Sequence, residues 1–250
     1  MHEVDIGIVS RPGLRPTRPG DAPGSADAAH AWTAAGGAVG AAVIDGIGHS
    51  TELHALVPVL AVDAARRTAL RHPMAGLIGA AELLQNPGAP RGGPDAVGIT
   101  ARVRPDGTWI AWAGDCRAYG LDPDTSILTR YTTDHTVAAH YAQQGMPADE
   151  AAAYSSNITV SFSDLSIAAR NEAPIPKGHT VILTSDGVHD QMDPTVLNTL
   201  VHAHHNDAQA LADALVAAAE DGIEDGLPRR RHHHRHPPAA DPARHRMSTR

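Results

Sequence analysis

Two apolar runs, each ending in Asp-Gly, narrow the folds open to this chain. The first reads Ala41-Ala42-Val43-Ile44-Asp45-Gly46-Ile47-Gly48 and the second Val181-Ile182-Leu183-Thr184-Ser185-Asp186-Gly187-Val188-His189-Asp190. A short β-branched run with Asp-Gly at its exit predicts a buried strand that turns and delivers a carboxylate to a sheet edge. One such turn is common and structural. Two, 141 residues apart, predict carboxylates brought together from distant parts of one fold, as a hard-metal site requires.

The 250 residues suffice for one large domain with a substantial core. No stretch approaches the ~20 apolar residues of a membrane span, and the start, Met-His-Glu-Val-Asp-Ile, lacks a secretory pattern. Cys116 is the single cysteine, so an intramolecular disulfide is excluded, in keeping with a cytoplasmic location. Lys177 is the one lysine beside 19 arginines, a bias that points to GC-rich coding. The net charge of −8 is unevenly spread: residues 227–250 hold seven Arg and one Asp, a balance of +6, leaving −14 on residues 1–226. An acidic body argues against nucleic acid as partner and suits divalent metal. The expected organisation is a domain over 1–226 followed by a basic, disordered Arg/His/Pro-rich tail over 227–250.

Periodicity predicts strands over 4–9, 38–44, 96–104, 108–113, 117–121, 127–131 and 180–185, with Asp106-Gly107 as a hairpin turn. Residues 11–27 read as a loop. Helices are expected from Thr51, over 74–85, 134–144, 148–153, 190–204 and 207–220. Strands and helices come in blocks, which favours an α+β fold with antiparallel sheets.

Two further segments complete a pattern. Gly114-Asp115-Cys116-Arg117-Ala118-Tyr119 places another aspartate at a strand turn, and Thr132-Thr133-Asp134-His135 precedes a helix. In order, the chain reads Asp-Gly-Ile-Gly, Gly-Asp-Cys-Arg-Ala-Tyr, Thr-Asp-His and Ser-Asp-Gly-Val-His-Asp. This succession resembles the metal-dependent serine/threonine phosphatases of the PPM (protein phosphatase 2C-like) family. The resemblance implies two antiparallel β-sheets sandwiched between helices, two Mn²⁺ or Mg²⁺ ions, and a metal-bound water as nucleophile in place of a protein side chain. Such oxygen-rich sites suit both ions, and paired metals acidify the bridging water. Carried over, Asp45 bridges both metals, the Gly46 carbonyl touches one, and Asp186 completes the first. Asp27 fits the start of the pattern, while Asp115 and Asp190, with Asp186, match a weaker third-metal position. Asp134 and His135 are expected to be structural, and Cys116 a small buried residue.

The pattern breaks in two places. Ala22 and Ala26 stand where the family has a phosphate-gripping Arg and a metal-binding Glu, with Arg15 or Arg18 as possible sources of the charge. At the other end, the family's Asp-Asp/Asn-Ala-Thr and final apolar strand are replaced by Arg229-Arg230-Arg231-His232-His233-His234-Arg235-His236. Read as codons, His is CAY and GC-rich Arg is CGN. A shift forward by one nucleotide turns each such His into Thr or Ile, and each Arg into Asp, Ala, Gly or Val. The shifted run can read Asp-Asp-Ala-Thr-Thr-Ile-Val-Ile. We expect the tail to be a frame-shifted remnant of that ending, with both metal sites weakened.

The leading expectation is a cytoplasmic phosphoserine/phosphothreonine phosphatase of reduced activity, acting on a phosphorylated protein and engaging neither nucleic acid nor membrane. The alternative is an inactive pseudophosphatase that binds a phosphoprotein or regulatory partner. A third reading, a histidine-tail metal-binding protein, requires Ni²⁺ or Zn²⁺ binding by the tail.

Overall fold

A computed structural model describes residues 4–11, 25–48, 50–84, 93–165, 171–221, 223–224 and 227–228. It contains two antiparallel sheets between two helical layers, the α+β sandwich expected from the sequence.

The larger sheet contains β1 (Asp27–Thr33), β2 (Val39–Ile47), β3 (Asp95–Arg104), β4 (Gly107–Ala113) and β7 (Glu172–Ile175), in the order β1-β2-β3-β4-β7. The smaller places β5 (Arg117–Leu121) between β6 (Leu128–Arg130) and β8 (Thr180–Thr184). Helices α1 (Thr51–Leu70) and α2 (Pro73–Leu84) cover the outer face of the large sheet. Ser50 caps α1 by accepting from the Leu53 amide at 3.2 Å. The stripe Leu53, Val57, Leu60, Ala64 then buries against Ala42 and Ile44 of β2.

Between the sheets, Val97, Ile99, Ile110 and Trp112 meet Cys116 and Ala118, with Val181 and Leu183 packed alongside. On the far side Leu121 and Ile182 pack on α6 (Pro194–His204) and α7 (Ala208–Asp221). The short helices α3 (Val137–Gln143), α4 (Ala148–Ala151) and α5 (Asp186–His189) are the other α-helices among the described residues, and a 3-10 turn over Ala152–Tyr154 follows α4. A small ladder joins β9 (Ile223–Glu224) to β10 (Leu227–Pro228). The rest of the expected tail lies outside the described residues, as do Ala22, Arg15 and Arg18.

Several local expectations need correction. Residues 4–9, predicted as a strand, join no ladder. Residue Ile8 instead donates its amide to the Gln209 side chain at 3.1 Å. The sequence does not predict strands β1 and β7: β1 has three Ala among its seven residues and β7 contains Pro174, so neither shows a β-branched run. In the β3–β4 hairpin Arg104 pairs with Gly107, so the turn is Pro105-Asp106 rather than Asp106-Gly107. Neither opening Asp-Gly is a turn. Asp45 and Gly46 lie within β2, paired with Val97 and Ala96, because β3 continues beside them. Asp186 and Gly187 open α5. The helix expected over 190–204 begins only at Pro194, as α6, because Asp193 caps it by accepting from the Thr195 amide; the short α5 lies ahead of the expected range.

Candidate metal-binding site

The adjacent ends of β1, β2 and β8 and the turn before β5 bring four aspartates to one end of the sandwich. Asp27 and Asp45 are direct ladder partners, so both side chains emerge on the same face of the sheet. Gly46 follows because α1 runs close by: a Cβ there would lie 2.9 Å from Leu53 Cδ2 and 3.0 Å from the Ala26 carbonyl oxygen. The Gly46 amide donates to that carbonyl at 2.9 Å. Ser185, just ahead of Asp186, donates from Oγ to Asp27 Oδ2 at 3.1 Å and so ties the two sheets together at the site.

The electrostatics record the crowding. Burial raises the Asp45 carboxyl well above its ordinary range, reinforced by the charges of Asp27 and Asp186, a hydrogen bond with Asp27 and the charge of Asp115. Asp115 is pushed up to about 7, by burial first and then by Asp186, with smaller contributions from Asp134 and Asp190. The Cys116 thiol, fully buried behind this cluster, is raised by burial and then by Asp45, Asp115, Asp27 and Asp186. It is no nucleophile in that state.

Among the described residues, the two arginines nearest the four pair with other carboxylates. Arg117 grips Asp134 through two nitrogens, with Nη2 at 2.7 Å from Oδ2, and Arg130 pairs with the same carboxylate. Arg117 also reaches Asp190, Nη1 to Oδ1 3.4 Å. Asp190, with 46% of its side chain exposed, is therefore paired with arginine at the rim of the cluster. His135 Nδ1 accepts the Gly114 amide at 3.0 Å and its ring stacks on Trp112, bracing the turn that presents Asp115. Burial lowers the pKa of both His135 and His189, which keeps each imidazole neutral near pH 7. Ala26 is buried, its methyl within the core beneath α1. The sequence does not reveal the contributions of Ser185 and Arg117, although Ser185 precedes Asp186 directly and Arg117 is two residues after Asp115.

The donor set is all oxygen and strongly self-repelling, which is the chemistry that hard divalent cations relieve. Among the described residues, no three His, Cys, Asp or Glu side chains already meet in an arrangement that could hold a metal ion. The cluster is thus matched to metal in chemistry, and its carboxylates must draw together to bind one.

No family model and no curated protein matches the sequence. Solved structures do match. A serine/threonine phosphatase from S. agalactiae superposes with a TM-score of 0.74 at 16% identity, over 90% of this chain and 95% of that one. The PPM Ser-Thr phosphatase MsPP from Mycobacterium smegmatis, in complex with cacodylate, gives 0.66 at 19% identity, over 89% and 95%. The catalytic domain of the phosphatase PstP, in complex with two manganese ions, gives 0.62 at 16% identity, over 90% and 91%. The four-layer sandwich, with its acidic end, has the fold of the PPM-type serine/threonine phosphatases.

Proposed function

We propose that this chain is a metal-dependent phosphoprotein phosphatase of reduced activity, hydrolysing phosphoserine or phosphothreonine esters. The observation that carries this reading is the convergence of Asp27, Asp45, Asp115 and Asp186 at one end of the sandwich, where burial first, and then the neighbouring charges, hold Asp45 and Asp115 above their ordinary range. Asp27, Asp45, the Gly46 carbonyl and Asp186 would hold Mn²⁺ or Mg²⁺, with Asp115 and Asp190 as a weaker outer set. Bound there, the cations would supply Lewis acidity and an acidified water for in-line attack on phosphorus. The chain's own contribution is to fix the first two carboxylates by ladder pairing, lock Asp27 with Ser185, and hold Arg117 on Asp134. Among the described residues no helix is long and apolar enough to cross a membrane; a cytoplasmic phosphoprotein is the proposed substrate.

One observation favours a second reading, a pseudophosphatase that binds a phosphoprotein or regulatory partner without turnover. Ala26 is apolar and core-packed where the family resemblance places a metal-binding Glu. A phosphopeptide assay separates the two. Release of phosphate at millimolar Mn²⁺, abolished by Asp186→Asn, is the result expected for the enzyme. Saturable phosphopeptide binding with no phosphate released at any Mn²⁺ concentration would leave the second reading standing.

A further inference from the structure

The two sheets differ in width. The large one has five strands and the small one three, so part of the large sheet has no strand facing it. The uncovered part is at β1 and the adjoining side of β2, whose Val43 packs at the edge of the core between the sheets. Every residue of β1 is at best half-buried, and Ala41 and Val43 of β2 are also only half-buried, whereas Ala42 and Ile44 on the helix-covered face are buried. Two strands at the usual spacing would occupy about 10 Å. That space is a cavity of about 640 Å³.

Its walls are backbone edges, two of them the edges of strands β8 and β1. His179 to Ser185 line it without a gap, as do Asp27 to Ala31 and Val4 to Arg11. An unbroken run of lining residues means that the backbone edge faces the space; a sheet face would contribute every second residue. Among the described residues, β8 pairs only with β5, and β1 only with β2. The floor is small and apolar, including Ala29, Ala31, Ala41 and Ala101, and the roof is the Leu211–Leu215 face of α7.

Residues 4–11 give the orientation. Asp5 accepts from the Ala208 amide at the start of α7, Ser10 Oγ donates to the Asp27 carbonyl at 3.1 Å, and Arg11 pairs with Glu220 near the end of α7. Gly7 lies so close to α7 that a Cβ would meet the Ala208 carbonyl oxygen at 1.9 Å. The segment is thus pinned parallel to α7, its apolar alternation intact but with no ladder partner among the described residues. The C-terminal end of α7 lies at the Asp27 end of the cavity. A strand entering from there would start beside Asp27 and Ser185 and run antiparallel to both β8 and residues 4–11.

We propose that this cavity is a slot for one β-strand, and that its occupant is the run Asp-Asp-Ala-Thr-Thr-Ile-Val-Ile encoded one nucleotide out of frame across codons 229–236. The match is chemical and directional. A strand covered on both faces needs a nearly continuous β-branched run, which Thr-Thr-Ile-Val-Ile supplies. The small floor residues leave room for its Ile and Val side chains. The run as translated, three Arg, three His, Arg and His, does not match an apolar slot. The two leading aspartates enter at the acidic end, where polar surroundings receive them.

The test has two arms. Sequencing codons 222–240 of the gene must show CGN arginines and CAY histidines whose +1 frame permits that run; codons that exclude it overturn the proposal. In the second arm the full chain is titrated with a fluorescein-labelled synthetic peptide of the eight residues. Saturable binding is expected. It should weaken about tenfold or more when the central Ile is replaced by Pro, which removes one ladder donor, and also in Ala212→Trp, where the added indole fills the slot. Equal binding by the Pro peptide, no binding, or a stable dimer of the chain that excludes the peptide would overturn it.

Discussion

Asp27 and Asp45 sit opposite one another in the β1–β2 ladder, two carboxyls joined by a hydrogen bond in a largely buried setting. Like charges placed directly across a ladder are destabilising, and the hydrogen bond exists only while one of the two keeps its proton. The arrangement is a crowded acidic site, in which a retained proton or a bound cation relieves the repulsion.

Asp45→Asn should therefore stabilise the metal-free protein, by about 1 kcal/mol, while removing its response to metal. Thermal melts in EDTA and in MnCl₂ check both halves. A variant that is less stable than the parent in EDTA, or that gains as much from Mn²⁺ as the parent, would contradict this account of the pair.

The same crowding gives a pH dependence. Asp115 titrates near 7 in the folded chain against an ordinary value of 3.8, and Asp45 is shifted in the same direction. Between those values the folded state holds more protons than the unfolded state. Their contribution to stability is therefore fully present below about pH 4 and is lost as pH rises through about 7. In EDTA, melts between pH 5 and 8 should show a component that falls with pH and is reduced in Asp115→Asn. Millimolar Mn²⁺ should flatten it by replacing the protons.

Arg117 and Asp134 hold β5 to the segment before α3 with side chains only 20% and 13% exposed. Asp134→Ala leaves both Arg117 and Arg130 without their shared carboxylate and should cost about 3 kcal/mol. Arg117→Met should cost less than Asp134→Ala, since it removes one charge and leaves Asp134 paired to Arg130. Urea unfolding of the two variants and of the double variant measures the coupling.

Gly46→Ala tests how tightly α1 positions the site. The added methyl would contact Leu53 at 2.9 Å, and relieving that overlap should cost about 1–3 kcal/mol. Leu53→Ala in the same chain should recover part of the loss attributable to the clash, read as non-additivity in a double-mutant cycle.

Hydrolysis of p-nitrophenyl phosphate, if the proposed activity is present, should require millimolar Mn²⁺, because the carboxylates must draw together against their own repulsion before a cation is held. Full turnover at micromolar Mn²⁺ would show a site already assembled, against the geometry of the four aspartates.

What the residues alone determined is the part governed by local pattern. The β-branched runs before Asp45 and Asp186, the stripe Leu53, Val57, Leu60, Ala64, and the ordered aspartate motifs specify strands, helices and their sequence whatever surrounds them, and they suffice for the sandwich. Long-range packing decided the rest. The alanine-rich β1 is a strand because β2 offers it a ladder, not because its residues prefer one, and that pairing sets Asp27 against Asp45. Asp45-Gly46 stays in β2 because β3 extends alongside. Residues 4–9 have the alternation of a strand yet join no ladder, because the edge they would pair with is not present among the described residues. Pattern tells a segment what it can be; the hydrogen-bonding partner that makes it so comes only from the assembled sheet.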